Sequence, residues 1–276
     1  MTRTTRTWYR IALGHPAAPP RLVAAAGEHM GVAIAAAERH VSGSFAFAVE
    51  VAPDSDIPLG ESLGRSSVVE LGANTGDAPV FHWPVGVLPQ LSRAAGAAGV
   101  RRGWTVRPHD SLLVIEAQTD ADHLIDLFLG VIERLPSADN LEVRLQPHFE
   151  DAGRADVWLT SRVDARWILR FLDDHDAELF GNGHLELSVY VRAHRATLRL
   201  TEHKTVVWLA SERALEDDVA RWLRELSVPR VDALVTANEV PHFHYRPAGS
   251  RDRKKLGDEL YRQRLRRVDT VKAASS

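Results

Sequence analysis

The sequence lacks cysteine altogether and has few methionines, little net charge and no long apolar run. None of its 276 residues is Cys, which excludes disulfides, thiolate nucleophiles, Cys-ligated zinc and iron–sulfur sites. The most apolar long stretch, residues 22–37, is interrupted by Glu28 and His29, so it is too short and too polar to span a bilayer. No signal-peptide apolar region follows the basic N-terminus, and we expect a cytoplasmic protein of bacterial type.

The net charge of −3 does not favour a chain that binds nucleic acid over its whole surface. Hydrophobic residues make up 45% and charged residues 26%, which is typical of a soluble globular protein rather than a disordered or fibrous one. A chain of this length is expected to form one large or two small domains. The unusual feature is the presence of 13 histidines.

The first half of the chain shows alternating strand and helix patterns around one irregular stretch. Residues 53–100 are rich in Pro, Gly and Asp, and we interpret them as an insertion with irregular structure. Apolar periodicity predicts strands over residues 7–13, 45–51, 104–107, 112–117 and 141–145, and helices over residues 21–41 and 120–135.

The second half repeats the same order of elements. Periodicity predicts strands over residues 157–160, 185–191, 197–201, 205–210 and 231–237, and helices over residues 164–180 and 212–226. A shift of 94 residues places His109 on His203 and His148 on His242. Because the tripeptide at 147–149 then falls on an identical one at 241–243, an internal duplication is the better interpretation, although chance agreement stays open.

The order of elements predicts an α+β fold made of two ferredoxin-like (split βαβ) halves. The first half would cover residues 1–150 and include the insertion at about 53–100. The second half would cover residues 151–247, and residues 248–276 would form a basic C-terminal tail with a helix.

The strongest local signal for chemistry is the sequence Pro-His-Phe-His-Tyr-Arg at residues 241–246. On an extended chain, His242 and His244 project to the same side, which is one way to hold Zn²⁺ if a third ligand comes from elsewhere. The alternative is a pair of surface histidines stacked on aromatic rings. The repeat adds equivalent positions, so the candidate ligand-binding residues are His148, Glu150, His242, His244, Tyr245 and Arg246.

Two other motifs give weaker evidence for a functional site. His109 and His203 fall in predicted hairpin turns, where a histidine is usually an ordinary polar loop residue. Residues 60–64 match the Gly-x-Ser-x-Gly nucleophile motif, but no strand precedes them and no helix follows, so a serine hydrolase is not favoured.

The C-terminal tail is distinctly basic. Between residues 250 and 272 there are nine Lys or Arg and four Asp or Glu, a net charge of +5. Such a helix can dock on its own acidic body, a protein partner, nucleic acid or an anionic membrane. The candidate partner-binding residues are Arg251, Arg253, Lys254, Lys255, Arg262, Arg264, Arg266 and Arg267.

These features support three functional hypotheses. The first is a non-enzymatic binding, assembly or accessory protein that docks a protein partner. The second is an enzyme or a ligand- or metal-binding protein, with a histidine-containing site between the two halves and zinc as the possible cofactor. The third is a nucleic-acid-associated factor that acts through the basic tail. The sequence leaves open whether the protein is an enzyme.

Overall fold

The computed structural model of the chain describes residues 6–57, 68–73, 81–107, 109 and 111–268. Helices and antiparallel sheets are mixed in these residues, in agreement with the predicted α+β class. No helix in this part of the chain is long and apolar enough to cross a membrane.

The N-terminal region forms a four-stranded antiparallel sheet that carries one helix. In spatial order the strands are β3 (Phe45–Val51), β1 (Thr7–His15), β2 (Ala18–Gly27) and β4 (Val68–Ala73). Helix α1 (Met30–His40) follows β2 and joins one buried apolar cluster with the sheet, to which Ile11, Val23 and Ile34 contribute.

The helix predicted over residues 21–41 is wrong in its first part, where the chain forms strand β2. Only the second part of that segment is helical, because residues 18–27 pair with β1 on one side and β4 on the other. Ala24 and Ala25 are fully buried there. High helix propensity is a weak preference, and the burial of small residues within the sheet overrides it.

The rest of the chain is dominated by an eight-stranded antiparallel sheet. In spatial order its strands are β14 (Arg266–Val268), β9 (Asp156–Leu159), β8 (Asn140–Leu145), β10 (Leu185–Val191), β11 (Ala196–Leu200), β12 (Val206–Ser211), β7 (Leu112–Gln118) and β6 (Gly103–Arg107). Five helices accompany it: α2 (Leu124–Arg134), α3 (Ala165–Asp174), α4 (Asp176–Leu179), α5 (Glu216–Glu225) and α6 (Arg253–Arg262).

Alternate positions of these strands supply the main core. Leu141, Leu187 and Trp208 are almost fully buried in one cluster with Phe128 of α2 and Ile168 of α3. This agrees with the period-2 patterns in the sequence, since successive side chains of a strand point to opposite faces.

A small two-stranded sheet joins the two parts of the chain. Strand β5 (Val87–Pro89) pairs with β13 (His242–His244). The strand predicted over residues 231–237 is wrong, because in this stretch only Val235 makes a bridge, to Val100. Instead the backbone NH of Val231 donates to the carbonyl of Trp104, so the segment follows the edge of β6.

The C-terminal segment, residues 250–268, lies against the body of the protein. Leu256, Leu260 and Leu265 are buried in the main core, and β14 pairs with β9 at the sheet edge. Most basic side chains of the segment form ion pairs within the molecule.

The two ferredoxin-like halves are not confirmed. β7, from the first predicted half, pairs with β12 from the second, and β8 and β9 pair across residue 150. The domain division at residues 150 and 247 stays a prediction. The predicted irregular insertion contains β4, β5 and a 3-10 helix at Leu91–Gly99, besides the residues that are not described.

Candidate metal site

Titratable side chains from segments far apart in the sequence lie together at one end of the central strands of the large sheet. Strand β8 ends there, the adjacent strand β10 begins there, and the tight turn between β11 and β12 lies on the other side of β10. Strand β13 approaches this end from the small sheet. The side chains that meet are His148, His184, Glu202, His203, His242 and His244, which we call the histidine site.

The β11–β12 turn is held by its own backbone. The NH of Thr201 and the carbonyl of Thr205 bond at 2.9 Å, and Lys204 adopts a left-handed conformation with φ of 63°. Such a tight turn places Glu202 and His203 at its tip. Below it, Phe149 is 1% exposed and anchors the turn that carries His148.

The imidazole rings of His242 and His244, both on strand β13, face each other. The pairing with β5 keeps residues 242–244 extended, so His242 and His244 share one side, as the sequence predicts. Their Nε2 atoms lie 2.9 Å apart.

The other nitrogen of each ring is already engaged. Nδ1 of His242 lies 2.6 Å from the carbonyl oxygen of Val240, and Nδ1 of His244 lies 2.5 Å from that of Gly183. A carbonyl oxygen only accepts hydrogen bonds, so each Nδ1 donates and each neutral ring has a bare Nε2. Two bare nitrogens at 2.9 Å repel each other unless a proton or a metal ion lies between them.

His203 completes a group of three. Its ring centroid lies 4.8 Å from that of His242 and 4.9 Å from that of His244. One ligand nitrogen from each of the three rings lies within 4.8 Å of the other two. A second such group consists of His148, Glu202 and His244.

Burial keeps three imidazoles of the site neutral. It lowers the pKa of His244 to about 2, that of His184 to about 3 and that of His203 to about 4. Neutral imidazole is the form that binds metal ions, so protons do not compete for these nitrogens near pH 7.

Burial also shifts the two charged residues of the turn. It raises the pKa of Glu202 to about 7, with a further contribution from Glu186, and lowers the pKa of Lys204 to about 7. Lys204 is 1% exposed, and its Nζ donates to the carbonyl of Asn182 at 2.7 Å.

Several buried polar atoms around the site have no hydrogen-bond partner among the described residues. They are Nδ1 of His184, Oε2 of Glu202, Nδ2 of Asn182 and Oγ1 of Thr205. Buried polar groups are nearly always satisfied in folded proteins. An ion together with its bound water, held beside the facing imidazoles, would supply such partners.

The predicted ligand-binding residues fall into two groups. His148, His242 and His244 converge in the site. Tyr245 is 8% exposed and belongs to the apolar cluster that α1 forms with the N-terminal sheet, where burial raises its pKa to about 12. Glu150 and Arg246 form a contact of 3.7 Å with each other, and Arg246 also donates to the carbonyl of Ser250.

Sequence reasoning missed His184 and Glu202 and treated His203 as an ordinary turn residue. The available signal was the sequence Glu-His-Lys between two buried strands. Its meaning depends on the order of the strands, because that order brings the turn next to the start of β10, whose other neighbour is β8. His109, the repeat partner of His203, is exposed and lies outside the site.

The predicted partner-binding residues are largely engaged within the chain. Arg251 pairs with Glu178 at 3.0 Å and Arg253 with Asp156 at 2.9 Å. The remaining contacts are Lys255 with Asp252, Arg262 with Glu259, Arg266 over the ring of Tyr261, and Arg267 with Asp156. Lys254 and Arg264 form no ion pair with described residues. The Gly-x-Ser-x-Gly motif at 60–64 lies outside the described residues.

Comparisons with protein-family models, with curated proteins and with solved structures find no match to this chain. A function can therefore be proposed only from the fold and the site.

Proposed function

We propose that this protein binds a divalent transition-metal ion, with zinc as the best match, through His203, His242 and His244. The observation that carries the proposal is the 2.9 Å separation of two Nε2 atoms whose Nδ1 partners are both backbone carbonyls. A metal-bound histidine typically donates its second ring nitrogen to a carbonyl or carboxylate, which orients the ring and raises its basicity.

The donor set points to zinc or a similar ion. Imidazole nitrogen suits zinc, copper, nickel and iron, whereas magnesium and calcium prefer oxygen ligands. The chain has no cysteine, so the closed thiolate sites of structural zinc cannot form.

The arrangement resembles a catalytic zinc site more than a structural one. Three imidazoles leave a fourth position free, and solvent reaches the site beside His148, whose side chain is 40% exposed. An ion with an open position acts as a Lewis acid and lowers the pKa of its bound water. This supports a metal-dependent enzyme of the hydrolytic type.

Zinc competition against a chromophoric chelator tests the proposal on untagged protein. His242→Ala and His244→Ala should each weaken zinc binding by about 100-fold or more, because loss of even an outer partner of a ligand costs about 10–100-fold. The matched control is His109→Ala, which removes an exposed histidine outside the site and should change nothing. Absence of stoichiometric zinc in the unaltered protein, or equal affinity in all variants, would contradict the proposal.

The other hypotheses stay predictions. A protein partner or a nucleic acid bound through the tail would use basic residues that already pair with acidic groups of the same chain. An origin by duplication of two ferredoxin-like units, a bacterial source and a cytoplasmic location also stay predictions.

A further inference from the structure

Glu202 lies between two different imidazoles. Its Oε1 is 3.9 Å from Nε2 of His203, and its Oε2 is 3.7 Å from Nε2 of His148. The two oxygens of one carboxylate therefore face two separate ligand nitrogens. Oε2 lies beside an imidazole that does not belong to the group of His203, His242 and His244.

The two groups of potential ligands share one residue, His244, which can bind only one of the two ions. His244 belongs to both, but its Nε2 lies 2.9 Å from that of His242 and its Nδ1 is bonded to a carbonyl. One imidazole nitrogen binds one ion, so His244 is used with His242 and His203. His148 and Oε2 of Glu202 are then left as a second pair of ligands.

The surroundings of Glu202 favour an additional cation. Oε2 is buried and accepts no hydrogen bond from the described residues. The neighbouring ammonium group of Lys204 donates to the carbonyl of Asn182, and among the described residues no hydrogen bond or ion pair joins it to Glu202.

We infer that the histidine site holds two divalent metal ions, with Glu202 as a ligand of the second. The first ion is bound by His203, His242 and His244, which leaves its fourth position open. The second is bound by His148, Oε2 of Glu202 and water, which the partial exposure of His148 admits. This inference rests on the proposed function and adds a second ion to it.

The second ion should bind more weakly than the first because fewer protein ligands hold it. Two-metal centres keep their ions about 3.5–4 Å apart and bind the attacking and the leaving oxygen of a displacement reaction. The exposed side of His148 is where solvent and substrate would reach the pair.

Zinc content measured at buffered free zinc, together with X-ray absorption of the loaded protein, tests the second ion. We expect two equivalents in the unaltered protein and in His109→Ala, and one equivalent in His148→Ala and in Glu202→Gln. We also expect metal–metal scattering at about 3.5–4 Å in the unaltered protein and none in His148→Ala. The absorption measurement needs no variant, so it decides the question even if a substitution impairs folding.

The outcomes separate the two proposals. Saturation at one equivalent in the unaltered protein overturns the second ion and leaves the first site standing. Binding of no zinc overturns both. Two equivalents in every variant, without metal–metal scattering, would place the second ion elsewhere and overturn the role of His148 and Glu202 as its ligands.

Discussion

The histidine site and the C-terminal segment are both dense in titratable side chains, yet they differ in how those groups are satisfied. In the C-terminal segment, Arg251 and Arg253 meet the carboxylates of Glu178 and Asp156. In the histidine site, two imidazole acceptors face each other and Oε2 of Glu202 accepts no hydrogen bond from the described residues. The first arrangement is complete without a ligand, whereas the second is not.

This difference teaches which charged clusters indicate function. A high local charge is not informative when partners from the same chain neutralise it, because such pairs hold the segment to the body. Groups that are buried, aligned and unpartnered carry a desolvation cost that something must offset. On that criterion, the histidine site is a better candidate for function than the C-terminal segment.

The largest stability effect is expected in the C-terminal segment. Arg253 is 11% exposed, pairs with Asp156 and donates to the carbonyls of Gln146 and Arg154. Arg253→Met should lower the free energy of unfolding by about 3–5 kcal/mol, the usual cost of breaking a buried ion pair from one side. Urea denaturation measures it.

Lys254→Met is the matched control for that variant. Lys254 is exposed and forms no ion pair with described residues, so the change should stay within about 0.5 kcal/mol. If Arg253→Met also costs less than that, the C-terminal segment is not held by its charges and the contrast with the histidine site fails.

A smaller effect is expected when the metal-free protein is acidified. Burial lowers the pKa of His184 to about 3, while the unfolded chain keeps an ordinary value near 6.5. Below pH 6.5 the unfolded state therefore takes up a proton that the folded state does not, so stability falls as the pH falls from about 6.5 towards 3. Between pH 7.5 and 6.0, His184 should contribute a loss on the order of 1 kcal/mol.

His184→Gln isolates that contribution. The variant should lose less unfolding free energy than the unaltered protein over the same pH interval. Equal losses in both proteins would show that burial does not hold His184 in its neutral form. The ion pairs of Glu259 should not respond in this range, since the Gln263 hydrogen bond and nearby cations keep the pKa of Glu259 below its usual value.

Local patterns in the sequence predict much of the large sheet. The alternation at residues 185–191 and the hairpin around residues 202–204 both appear in the structure, as β10 and the β11–β12 pair. The same period-2 rule places His242 and His244 on one side. The local rule fails at β2, where alanines that favour a helix are buried in a sheet instead.

The composition of the site could not be read from the sequence in the same way. His148, His203 and His242 come together only because β8, β10 and β11 are neighbours and β13 pairs with β5. Strand order is a property of the whole fold, and neither alternation nor spacing encodes it. The sequence therefore could not identify the third ligand. It also could not distinguish His203, in its turn, from a solvated loop residue.

Nitrogen-15 NMR of the imidazole rings during a zinc titration tests the central claim most directly. With one equivalent of zinc, the Nε2 resonances of His203, His242 and His244 should shift together, while Nδ1 of His242 and His244 stays protonated. The exposed ring of His109 should not respond. Unchanged Nε2 resonances in the three rings after one equivalent of zinc would contradict the metal site.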